Sequence, residues 1–201
     1  MHRFAATLGR LSLVLAAIWF VAGMPVSGMA EDPAPAIHNI EETRTADGIR
    51  LLALKPGANA MLDISVLSPT EGLNRIEAAL DLIARKSPAN RQAIQRLKAA
   101  GQVSIVYYPN NFRDRNRLNT QTVALFIPDF LEKRGLGGAR REFSVVINQF
   151  GVKWPADELA AIIAHELAGH GVQHLEGRIA SARPLDLECE ASLFQEQAYQ
   201  D

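Results

Sequence analysis

The chain has 201 residues, 48% of them hydrophobic and 21% charged, with a formal net charge of -1. That is the composition of one ordinary globular domain, and its near-zero charge gives no electrostatic case for binding nucleic acid or an anionic membrane. A single cysteine, Cys189, excludes a disulfide within the chain and reads as a buried thiol on a helix face.

At the N-terminus, Arg3 and Arg10 flank the start of an apolar run from Leu11 to Ala22, and Gly28-Met29-Ala30 places small residues before a cut. This is the pattern of a secretory signal peptide over 1–30, with cleavage expected after Ala30. The run is short for a membrane span, which needs about 20 apolar residues. The expected location is therefore periplasmic or secreted, with no stable membrane span after cleavage. A flexible leader, 31–36, should precede a single domain over 37–201.

Ile37 to Thr45 and Ile49 to Lys55 flank Ala46-Asp47-Gly48, which predicts a β-hairpin. Met61 to Leu67 alternates apolar and polar residues and reads as a third strand. Ser68-Pro69-Thr70-Glu71 is a capping-box pattern with proline at the first helical position. Leu73, Ile76, Leu80 and Ile83 then recur at helical spacing, and Ser87-Pro88 restarts the pattern through Ile94 and Leu97, so a helical hairpin is expected. Val103 to Tyr108 is β-branched and aromatic and reads as a strand. Residues 109–120 form a polar loop holding Arg113, Arg115 and Arg117, read as solvated. Gln121 to Ile127 and Glu142 to Phe150 are two more strands, separated by a basic, glycine-rich exposed turn. The fold class is α+β, with a small antiparallel or mixed sheet packed on helices.

Trp154-Pro155 opens the central helix, with Asp157 and Glu158 at its positive end and Gly177 as its C-terminal cap. Inside it lies His165-Glu166-Leu167-Ala168-Gly169-His170-Gly171-Val172-Gln173-His174, three of the chain's five histidines within ten residues. Neutral imidazole is a common zinc ligand, so the cluster points to a metal. Histidines four apart would share one helix face. His165 and His170 are five apart, which in a regular α-helix turns them roughly 140° from each other. One turn of i→i+5 bonding would absorb the extra residue and align them. Gly169 and Gly171 suit such a loosened or closely packed turn, since each costs about 1 kcal/mol in a regular helix. Regular geometry leaves two rival pairs, Glu166 with His170 and His170 with His174. His174 as a third ligand beside both others would stand two turns along the axis from His165. Leu185 onward reads as a last helix, carrying Glu188 and Glu190.

Read as H-E-x-x-H with one residue inserted, the stretch resembles the gluzincin class of zinc metallopeptidases. The resemblance covers about 142–194. It implies Zn²⁺ held by His165 and His170, with Glu166 as the general base. It also implies a third ligand from the following helix. There Glu188-Cys189-Glu190-Ala191-Ser192 matches the family's E-x-x-x-D shape, with Ser192 in place of the acid. Glu188 is then the ligand, Ser192 would orient a histidine, and Glu190, about 200° away around the helix, is the reserve. The family further implies a peptide or protein substrate paired with an edge strand at 142–150. Tyr107, Tyr108 and the loop arginines are candidates to stabilise an oxyanion. A non-catalytic metal-binding or protein-binding relative is the alternative, and a structural envelope protein a third. The sequence is silent on oligomeric state.

Overall fold

The computed structural model describes residues 40–56, 66–109, 122–138 and 140–200. The expected signal peptide and leader, His38, most of the expected strand over 61–67 and the loop with Arg113, Arg115 and Arg117 lie outside these residues. Among the described residues no helix is long and apolar enough to cross a membrane.

The molecule is α+β. Strands β1 (Ile40–Ala46) and β2 (Ile49–Leu54) pair antiparallel as a hairpin. Asp47 and Gly48 both take positive φ, 45° and 73°, as the tight turn requires. Helix α1 (Pro69–Lys86) follows, opened by the expected capping box: Ser68 Oγ accepts from the Glu71 amide and Glu71 Oε2 accepts from the Ser68 amide. Helix α2 (Pro88–Ala100) leads into β3 (Gln102–Tyr108), which lies parallel to β2. After β4 (Ala124–Phe126) comes β5 (Glu142–Asn148), and the sheet order is β1-β2-β3-β5-β4.

This order corrects one expectation. The strand at 142–148 is not an edge. It is parallel to β3 on one side and antiparallel to β4 on the other, and every one of its residues is buried. Its nearly unbroken apolar run suits a strand covered on both faces. The edge belongs to the three-residue β4.

The main core lies between one face of the sheet and the helices. Leu51, Ile105, Val145 and Ile147 meet Leu73, Ile76, Leu97, Leu159 and Ile163 there. On the opposite face Leu52, Leu54, Val106 and Val146 are covered by Phe130 and Leu131.

The long helical stretch over 156–175 begins as α3 (Ala156–Ile163), with Pro155 as its N-cap. It continues as a π-helical segment, Ala164–Gly171, and ends as the short α4 (Val172–Leu175). Gly177, at φ 72°, closes it: the Gly177 amide donates to the His174 carbonyl and the Arg178 amide to the Gln173 carbonyl. These are the two bonds of a Schellman cap. Helix α5 (Pro184–Gln200) then packs back across it, turning Leu187 and Ala191 inward. Cys189 lies on the opposite side of α5 and is exposed, not buried as its residue type suggests. It is two residues from each inward-facing position, about 200° around the helix.

Candidate metal centre

The π-helical segment makes the site. With i→i+5 bonding, residues five apart come into register, and the His165 and His170 rings stand 4.9 Å apart, edge to face. Two facts explain why the helix loosens here. Leu159 to Ile163 form an apolar block anchored in the core, which fixes the phase of the helix before the segment. The two glycines then fix contacts that need the expanded turn. A Cβ on Gly169 would lie 2.6 Å from the Ala191 Cβ, and one on Gly171 would lie 2.8 Å from Leu97 Cδ1. Gly169 therefore serves close approach by α5, and only side chains as small as glycine and alanine permit it.

That approach delivers Glu188, which lies one turn before Ala191. His165 Nε2 is 3.5 Å from Glu188 Oε2, and His170 Nε2 is 3.5 Å from Glu188 Oε1. One ligand atom from each of the three residues lies within 4.8 Å of the others. Two ligands of a tetrahedral zinc at 2.0–2.1 Å stand roughly 3.4 Å apart. Each imidazole stands at about that distance from one of the two Glu188 oxygens, His165 from Oε2 and His170 from Oε1. The donor set, two imidazoles and one carboxylate with a further position open, is one that zinc accepts.

The electrostatics are those of a preformed cluster. Hydrogen bonding from His165 and then His170 holds the Glu188 carboxyl well below the usual carboxylate range, against the opposing effect of burial. Burial draws the His170 imidazole down, but the Glu188 hydrogen bond, the Glu166 charge and the Gln173 hydrogen bond together push it up to about 9.

Glu166 is buried. Its Oε2 accepts a 2.7 Å hydrogen bond from the Phe126 amide of β4. Ile127 uses its amide to bond Ser144 of β5, so the Phe126 amide faces the other way, off the sheet edge. Burial raises the Glu166 carboxyl above its ordinary value, although His165, His170 and the Phe126 amide each pull it down.

Other expected participants lie elsewhere. Glu190 does not reach the cluster: Arg178 holds it by two bonds, 2.6 and 2.8 Å. Ser192 does not orient a histidine. Its Oγ donates to the Glu188 carbonyl at 2.8 Å, the local bond a helical serine makes with the preceding turn. His174 packs between the Phe126 and Phe143 rings, and its imidazole is pulled down by burial and by Arg141. The rival pairs that need a regular helix are not the ones brought together. The Tyr107 hydroxyl is committed to the Leu67 carbonyl at 3.0 Å, and burial pushes it up to about 12.

Two partners of the site went unread in the sequence. Gln173 bonds His170 Nδ1 at 2.9 Å, and the Phe126 amide bonds Glu166. Gln173 was legible in principle, since it stands three residues after His170 and so shares its face. The Phe126 contact crosses 40 residues and carries no local signal. Comparison with family models, with curated proteins and with solved structures finds no match for this chain.

Proposed function

We propose that this chain is an exported zinc-dependent peptidase of the gluzincin kind. The observation carrying this reading is the convergence of His165, His170 and Glu188 beside the buried carboxylate of Glu166. Zn²⁺ bound by the three would lower the pKa of a coordinated water to about 7 and polarise a peptide carbonyl. Glu166 takes the proton of the attacking water and passes it to the leaving amine. Its raised affinity for protons suits a base that must also act as an acid. The Phe126 amide holds one carboxylate oxygen and leaves the other to exchange the proton. An extended peptide would have β4, the sheet edge beside Glu166, as its main-chain partner through outward groups other than the Phe126 amide, which Glu166 holds.

A second reading keeps the metal without turnover, as a binding protein. It is favoured by the hydrogen bond that already occupies one oxygen of Glu166. Glu166→Gln separates the two, because glutamine can still accept from Phe126. The peptidase reading expects wild-type zinc content with hydrolysis of a peptide library reduced by about 10²-fold or more. Undiminished hydrolysis in this variant overturns the assignment of Glu166. Absence of hydrolysis in the zinc-loaded wild type favours the binding protein.

A further inference from the structure

Gln173 touches none of the atoms that would hold a metal, yet it is 0% exposed and all its polar atoms are used. Its amide orientation can be assigned from chemistry. The Leu187 carbonyl can only accept, and Gln173 Nε2 lies 2.8 Å from it. The amide nitrogen therefore faces α5, and Oε1 faces His170 Nδ1 at 2.9 Å. A ring nitrogen that meets an acceptor must carry a proton. A neutral His170 ring thus presents its lone pair at Nε2, the atom directed at Glu188. His165 has no such partner among the described residues: its Nδ1 is buried without a hydrogen bond to any of them.

The same amide nitrogen reaches Glu190 Oε2 at 3.2 Å. Glu190 is gripped by Arg178, which leaves the motif helix directly after the Gly177 cap. The chain of contacts runs from the His170 ring to α5 and back to the end of the motif helix. It crosses the same seam as Glu188, one helix position away from it on the Leu187 carbonyl.

We propose that Gln173 is a positioning residue: it sets the tautomer and direction of His170 and, through Leu187, Glu190 and Arg178, fixes α5 where Glu188 and His170 can share one ion. The proposal rests on the zinc reading above. It concerns how tightly and in what geometry the ion is held, and does not depend on turnover.

The test compares zinc affinity, measured against a chromophoric chelator, for the full chain and its Gln173→Leu, Gln173→Glu and Glu190→Gln variants. The ring is followed through the His170 Nδ1–H resonance of the zinc-loaded protein. Gln173→Leu should lose about 10- to 100-fold in zinc affinity, the usual cost of removing a partner behind a ligand. Its Nδ1–H should exchange rapidly with water. Gln173→Glu keeps an acceptor and should restore the protected resonance while binding zinc less tightly than wild type. Glu190→Gln leaves Gln173 in place and should weaken zinc by less than Gln173→Leu, which keeps the test alive if the leucine variant does not fold. Wild-type affinity in both Gln173→Glu and Glu190→Gln overturns the proposal, as does an unchanged Nδ1–H signal in a folded Gln173→Leu. Failure of the wild-type chain to bind zinc sinks the metal reading and the proposal with it.

Discussion

The helical stretch over 156–175 contains two regions built to opposite rules. In α3, Leu159 to Ile163 are all buried, the ladder is regular and the side chains are apolar. In the eight residues that follow, the ladder expands, two glycines replace ordinary helix formers, and a carboxylate is taken into the core. The first region gains stability from burial. The second gives up helix propensity and desolvates a charge to place three polar groups. The two regions follow different rules: the anchor is apolar and regular, and the polar cluster starts where regularity ends.

Three substitutions would break or sharpen this contrast. The largest effect is expected in the anchor. Ile163→Ala removes a fully buried side chain and should cost about 2–5 kcal/mol in denaturant unfolding. Zinc affinity of the folded protein should stay near wild type. A parallel loss of affinity would show that anchor and site are one unit.

Gly169→Ala comes next. The added methyl meets Ala191 at 2.6 Å, so overpacking should cost about 1–3 kcal/mol. Because α5 must retreat, zinc affinity should fall with stability, and Ala191→Gly in the same chain should restore part of both. A double-mutant cycle over the two positions measures the coupling. Additive behaviour would mean that the small-residue contact does not set the position of Glu188.

Ser192→Ala should do least. Among the described residues its hydroxyl bonds the Glu188 carbonyl, so stability should change by less than about 0.5 kcal/mol and zinc affinity should not move. A marked loss of affinity would return to Ser192 the orienting role that the family pattern gave it.

Much of this molecule could be read before its coordinates. The Asp47-Gly48 turn, the Ser68 capping box and the Gly177 cap each follow from local backbone chemistry, and all three are present. The expanded turn was legible because simple counting left His165 and His170 out of phase. What the sequence hid was long-range. That β5 lies inside the sheet depends on β4 pairing outside it, and strand order leaves little trace in a run of apolar residues. The reason for Gly169 was only half visible: a closely packed turn follows from the glycine itself, whereas its partner, Ala191 of another helix, leaves no local trace. Cys189 and Ser192 were misplaced because residue type and family spacing say less than the direction each side chain takes on α5.

The three side chains that would grip an ion all come from the span 165–188, joined by the connection over 176–183 that begins at the Gly177 cap. An ion there would tie two neighbouring helices together, and it acts by binding the folded chain and not by constraining the unfolded one. Whatever rigidity a metal confers would therefore be felt within these two helices, with the distant hairpin of β1 and β2 left almost untouched. Protection against local opening gained on loading should follow the same boundary, while amides that exchange only by global unfolding gain with total stability.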